Sequence, residues 1–170
     1  MKQKELEKEI RLWSKEILET PNEHNFPTCP YAKKTWDANK VKVIISDNIY
    51  WDDLFRLCLE FPEDIDVLIY CDFDYEMPVE IFDDRVRTFN MLLNRSNLWI
   101  MGFHQEHAEK EEVSQDNFVP INDEIYNMVF VQRLKELNKA SVNLEKIGYY
   151  KSWTKSEMEN IYNRRNVCQS

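Results

Sequence analysis

Two short runs rich in β-branched residues decide the fold class, VKVIIS at residues 41–46 and IDVLIYC at residues 65–71. Both compositions are typical of strands, and the second run is apolar along almost its whole length, which indicates a strand covered on both faces. Between them, apolar residues at helical spacing begin at Trp51 and end before Pro62. The stretch therefore predicts a strand–helix–strand unit with parallel strands.

The same alternation continues along the chain beyond this unit. Pro78 opens another helical pattern, and LWIMGF at residues 98–103 has the composition of a third strand. We therefore predict a single α/β domain over residues 1–170, in three layers, with a small, mainly parallel βαβαβ sheet flanked by helices. The flanking segments are predicted to be an N-terminal helix (1–20), a polar loop (105–121) and C-terminal helices (122–165).

Charge is distributed very unevenly along the chain. The net charge is -9, but residues 47–84 alone carry thirteen acidic side chains and one basic side chain, Arg56. Such a stretch repels nucleic-acid phosphates, so we expect no direct binding to nucleic acid. Three interpretations stay open: a solubilising surface, a cation site, or an inhibitor that binds a basic protein surface as a nucleic-acid mimic.

Several classes of protein are disfavoured by what the sequence lacks. The chain has two glycines and neither a GxGxxG nor a Walker pattern, which argues against a glycine-rich phosphate loop. The four cysteines form no CxxC pair. The N-terminus is highly charged, and no apolar run approaches the roughly 20 residues of a membrane span. We therefore expect a cytoplasmic protein with reduced thiols and no membrane partner.

The segment TCPYA at residues 28–32 is the first candidate for chemistry. Pro30 suits the first position of a helix, so Cys29 is predicted at a helix start, where the helix dipole lowers the pKa of a thiol. Cys29 is then a candidate nucleophile or metal ligand, and a buried structural cysteine is the alternative. The segment resembles the glutaredoxin active site, but Ala32 occupies the position of the second cysteine, which argues against dithiol exchange.

Further candidates lie where the predicted strands end. His104 follows the third strand, at the edge of the sheet where open α/β folds bind their ligands. A Cys29–His104 site for a divalent transition metal is one hypothesis. Asp72, Asp74 and Glu76 follow the second strand, and alternate carboxylates of this kind are ligands for Mg²⁺.

Three motifs in the chain resemble an uncharacterised family of small bacterial and plastid α/β proteins. That family has a Leu-Cys-Pro-Phe-Ala motif, a Phe-His-Pro motif that ends a strand, and a later helix. Residues 29–32 (CPYA), 103–104 (FH) and 131–134 (VQRL) stand here in the same order, while Gln105 replaces the proline of the second motif. The resemblance implies an α/β fold and pairs Cys29 with His104, but it implies no reaction.

These patterns combine into one site hypothesis at the carboxyl edge of the sheet. Cys29 and His104 are the predicted catalytic or metal-binding pair, and Lys33, Arg133 and Asp72 are the predicted ligand-binding residues. In one version His104 supports a Cys29 thiolate that binds or attacks a small anionic or electrophilic molecule. In the other version the two residues ligate the metal. Whether the protein is an enzyme stays open, since the acidic inhibitor is the competing class.

Overall fold

The computed structural model describes residues 2–21, 25–74, 77–93, 95–106 and 126–167. The helices are α1 (Lys2–Trp13, continuing into a π-helical turn at Ser14–Leu18), α2 (Ala32–Asp37), α3 (Trp51–Leu59), α4 (Val79–Leu92), α5 (Leu134–Lys146) and α6 (Lys155–Val167). The strands are β1 (Val41–Ser46), β2 (Val67–Asp72), β3 (Leu98–Phe103) and β4 (Asn127–Arg133). Within these ranges, every helix falls short of the length or the apolar content that crossing a membrane requires.

The strands form one sheet in the order β1-β2-β4-β3. β1 and β2 are parallel, whereas β4 is antiparallel to both of its neighbours, β2 and β3. The α/β class and the first strand–helix–strand unit are therefore confirmed. The prediction of a mainly parallel βαβαβ sheet is wrong, because β4 lies between β2 and β3 and makes two of the three pairings antiparallel.

The segment NMVFVQR accounts for this difference. It was predicted to be helical within residues 122–165, but it forms β4, and its first five residues are buried. A continuous run of buried apolar residues suits a buried helix and a central strand equally well, so periodicity does not separate them. The helical prediction is confirmed only from Leu134 onward, by α5 and α6. Residues 107–125, which include most of the predicted polar loop, lie outside the described residues.

The sheet lies between two helical layers, each with its own apolar cluster. On the α3/α4 face, the ring of Trp51 packs against the ring of Phe89 with centroids 5.0 Å apart. On the α1/α2 face, Trp13 packs edge-on against Phe103 and Phe130. Alternate residues of β2 belong to the two clusters, as expected for a strand covered on both sides. Any side chain on the sheet can therefore be assigned to one of two faces.

Candidate functional site

The predicted pair of Cys29 and His104 lies on opposite sides of the sheet. Cys29 packs on the α1/α2 face. His104 lies against Phe82 of α4 on the other face, with ring centroids 5.2 Å apart. In the described part of the chain, no group of three or more His, Cys, Asp or Glu side chains is arranged to hold a metal ion. The structure thus gives the Cys29–His104 pair no common site.

Burial governs the chemistry of Cys29. Burial raises the pKa of its thiol, and the backbone N–H groups of Tyr31 and Ala32 only partly offset this rise. The predicted lowering of the Cys29 pKa is therefore wrong. Helix α2 has only six residues, so its dipole contributes little against the cost of desolvating a thiolate. We expect a neutral thiol at neutral pH.

The two predicted basic ligands are engaged elsewhere. Lys33 is exposed on α2, and its Nζ lies 2.5 Å from Oδ2 of Asp37, one helical turn away. Arg133 donates from Nη2 to the Pro62 carbonyl at 2.6 Å, beside the start of β2. Because a strand rises about 3.3 Å per residue and Asn127 is the register partner of Asp72, Arg133 lies roughly 20 Å from Asp72 along the strands. Arg133 therefore lies at the opposite end of β2 from the carboxyl edge.

Three buried polar side chains lie side by side at the carboxyl edge, on the α3/α4 face. Asp72 ends β2 and is the register partner of Asn127 on β4. His104 follows β3 on the other side of Asn127, and the backbone N–H of the next residue, Gln105, donates to Asn127 Oδ1 at 3.0 Å. Asp72, Asn127 and His104 are 1%, 3% and 2% exposed. The structure therefore places Asp72 and His104 of the predicted site in one row and adds Asn127.

Both ring nitrogens of His104 are bonded within the chain. The backbone N–H of Glu106 donates to Nδ1 at 3.1 Å, so the ring proton is assigned to Nε2, which donates to the Met77 carbonyl at 2.7 Å. The ring thereby joins the end of β3 to the loop before α4.

Asp72 is less completely paired than His104. Its Oδ1 accepts a hydrogen bond from the Asp74 N–H at 2.8 Å, whereas its buried Oδ2 has no partner among the described residues. Burial raises the pKa of Asp72 to about 6, and the negative charges of Asp74 and Asp47 act in the same direction. Glu76, the third member of the predicted Mg²⁺ set, lies outside the described residues.

A second polar cluster lies between the TCPYA segment and helices α5 and α6. The side chain of Arg165 is 7% exposed, and Nη1 donates to Oγ of Ser141 at 2.8 Å. Burial lowers the pKa of Arg165, and the only ionisable groups that oppose this are tyrosines. Across the described ranges, no carboxylate forms an ion pair with this guanidinium. Removing an unpaired charge from water costs several kcal/mol, so this arrangement calls for an explanation.

Tyrosine hydroxyls lie within electrostatic range of this guanidinium. The Tyr31 hydroxyl is buried and has no hydrogen-bond partner among the described residues. Burial raises the pKa of Tyr31, and the positive charge of Arg165 opposes that rise. Tyr149 donates to the Thr28 carbonyl at 2.9 Å, which fastens the TCPYA segment to the chain after α5. One cation and one unpaired hydroxyl are thus both desolvated in the same cluster, an arrangement able to bind an anion.

Sequence reasoning missed both Asn127 and Arg165. Asn127 was predicted to lie within a helix, so the sequence did not indicate that it stands at the end of a strand. Arg165 lies in α6, whose apolar residues form no distinct stripe, and so the pattern did not indicate which side of the helix is buried. The only available signal was the Arg164-Arg165 pair itself, which is more often a solvated helix end.

Comparison with known proteins found no match to this chain. No family model matches the chain, and no curated protein or solved structure shows significant similarity to it. The resemblance to the bacterial and plastid family stays a prediction. Any functional conclusion therefore depends on the residues themselves.

Proposed function

We propose that this protein binds a small molecule that carries an oxyanion, such as a phosphate or carboxylate, at Arg165. The observation that supports the proposal is a guanidinium 7% exposed whose single hydrogen bond goes to the Ser141 hydroxyl, with no carboxylate paired to it in the described chain. The proposal keeps the predicted small anionic ligand. It replaces Lys33 and Arg133 with Arg165 as the residue that holds it.

An oxyanion would satisfy what the cluster leaves unpaired. A guanidinium presents five N–H donors in a planar fork that matches two oxygens of a phosphate or carboxylate, and only one of these donors has a partner among the described residues. The buried Tyr31 hydroxyl supplies a further donor. Charge-assisted hydrogen bonds of this kind are about twice as strong as neutral ones. The hydrogen bonds to a bound oxyanion would then offset the free-energy cost of removing the guanidinium from water on folding.

The neutral state of Cys29 favours binding over covalent chemistry. A thiol whose pKa is raised supplies little thiolate at neutral pH, and the thiolate is the nucleophilic form. We therefore propose a ligand-binding role and no reaction. The three described cysteines are free, and we keep the cytoplasm as the proposed compartment.

Inorganic phosphate is the probe that tests this proposal. We expect phosphate to raise the free energy of unfolding of the wild-type chain, by about 1.4 kcal/mol at ten times its Kd. The substitution Arg165→Met should abolish this stabilisation, and Tyr31→Phe should weaken phosphate binding several-fold. Urea unfolding followed by tryptophan fluorescence, at constant ionic strength with chloride replacing phosphate, measures both effects.

The adjacent arginine provides the matched control. Arg164→Met removes the same charge from the next position of α6, where the side chain is half-buried, and it should leave the phosphate effect unchanged. Equal stabilisation of the wild type and of Arg165→Met would show that phosphate acts elsewhere, and the proposal would fail.

A further inference from the structure

The two outer strands of the sheet are β1 and β3. They differ in whether a side chain bonds the backbone groups of the free edge. On β3, the Asn90 side chain of α4 bonds both backbone groups of Ile100. Its Nδ2 donates to the Ile100 carbonyl at 2.9 Å, and the Ile100 N–H donates to its Oδ1 at 2.8 Å. A single side chain thus occupies the edge of β3 at its centre, which is a recognised way of protecting an edge strand.

In the described part of the chain, no side chain covers the edge of β1 in this way. The carbonyls of Lys40 and Ser46 accept hydrogen bonds from the β2 side, from Val67 and Phe73. Because backbone groups alternate along a strand, the N–H and C=O groups of the odd-numbered residues of β1 point outward. These residues are Val41, Val43 and Ile45, and no hydrogen bond joins their outward groups to another segment of the described chain.

A groove runs beside this open edge. Trp51 and Phe55 of α3 pack against Phe89 of α4, so the opposite flank of α3 faces away from α4, over Ile44 of β1 and Tyr70 of β2. Between that flank and the sheet lies an open cavity of about 340 Å³, which is large enough for a long side chain. Its lining residues are Ile44 and Tyr70 on the sheet and Asp53, Arg56, Leu57 and Glu60 on α3.

The charge of the groove indicates the class of partner. Two carboxylates, Asp53 and Glu60, and one guanidinium, Arg56, form its polar lining, and Leu57 supplies an apolar wall. A lysine or arginine suits this lining, because its aliphatic stem can lie on Leu57 while its charge meets Glu60, since Asp53 is paired with Arg56 at 3.4 Å. The surrounding segment, residues 47–84, carries thirteen acidic side chains against one basic.

We propose that β1 accepts an extended, basic segment of a partner protein as a fifth strand, with a Lys or Arg side chain in the groove under α3. Main-chain hydrogen bonds to residues 41, 43 and 45 supply the affinity, and the groove supplies the preference for basic side chains. This inference is independent of the anion site, which involves other residues, and it gives the acidic segment a defined docking surface.

An eight-residue peptide of alternating valine and lysine is the probe. We expect its addition to a ¹⁵N-labelled chain to shift the amide signals of Val41, Val43 and Ile45 and to slow their hydrogen exchange. Asp53→Lys should weaken binding about tenfold, since a charge at the groove is reversed. The same peptide with every amide N-methylated should not bind, because it keeps its charge but cannot pair with a strand.

A matched control separates the groove from general attraction between opposite charges. Asp84→Lys makes the same charge change on α4, and the two aspartates are comparable, since each is exposed and pairs with an arginine three residues later at 3.2–3.4 Å. It should weaken binding less than twofold. Any one of three results would overturn the proposal. These are equal effects of the two substitutions, binding of the N-methylated peptide, and no binding of the valine–lysine peptide. Concentration-dependent shifts of the β1 amides without peptide would assign the edge to a second copy of the chain instead.

Discussion

The two sides of the sheet each bury polar groups, and these groups are bonded to different degrees. On the α3/α4 face, His104 has both ring nitrogens bonded, and Asn90 uses both ends of its amide. On the same face, Asp72 Oδ2 and Trp51 Nε1 have no partner in the described chain. On the other side, the guanidinium of Arg165 makes one hydrogen bond, and the Tyr31 hydroxyl makes none in the described chain. The difference teaches that burial of a polar group is not by itself a sign of function. A buried group whose bonding capacity is unused is the better indicator of a ligand.

The largest expected effect comes from removing His104. His104→Ala should lower the free energy of unfolding by about 3 kcal/mol, because it removes the ring and leaves the Met77 carbonyl and the Glu106 N–H without their partner. Urea unfolding measures the loss. Glu106→Ala, which keeps the backbone N–H and alters an exposed side chain, should cost less than about 0.5 kcal/mol. A loss below about 1 kcal/mol for His104→Ala would contradict its structural role.

Asp72 carries a buried carboxyl on the α3/α4 face that is incompletely paired in the described chain. Its pKa of about 6 in the folded chain exceeds the ordinary value of 3.8, so the folded state binds more protons between these values. Stability contributed by this group is therefore full below about pH 4 and falls as the pH rises to about 6. The loss at pH 7 amounts to about 1–3 kcal/mol.

The substitution Asp72→Asn isolates this contribution. Unfolding free energies measured between pH 4 and 7 should vary less with pH in this variant than in the wild type. Asp52→Asn, at an exposed position of α3, should leave the pH profile as it is. A profile unchanged by Asp72→Asn would mean that the Asp72 carboxyl ionises without penalty.

Local patterns predicted the elements of this fold better than their arrangement. Residues 41–46 form β1 as predicted, because β-branched residues favour a strand wherever it pairs. The position of β4 between β2 and β3 was not predictable from these patterns. Once the run at 127–133 was interpreted as helix, three parallel strands were the only arrangement left. Strand order depends on long-range pairing, and a single sequence carries little signal for that.

The candidate site was predictable only where it depended on strand ends. Asp72 and His104 were both placed at the carboxyl edge, because a residue that follows a strand must lie at that edge. Their bonding was not predictable, since it involves backbone groups of Asp74, Met77 and Glu106. Local sequence patterns predict even less of the anion site. It joins Tyr31 to Arg165 across most of the chain, and the proximity of α6 to the TCPYA segment follows from packing alone.

The smallest expected change in stability is that of Arg165→Met. It tests whether the Arg165 guanidinium differs from a guanidinium that is held by the chain. Without phosphate, Arg165→Met should change the free energy of unfolding by less than about 1 kcal/mol, or raise it, because methionine fills a similar volume without the cost of a buried unpaired charge. Arg133→Met is the matched comparison, since that guanidinium donates to the Pro62 and Ile65 carbonyls and lies over the Phe61 ring. It should cost about 2 kcal/mol. If Arg165→Met were instead as destabilising as Arg133→Met, the guanidinium of Arg165 would be held within the chain like the other polar groups, and its unused donors would no longer indicate an anionic ligand.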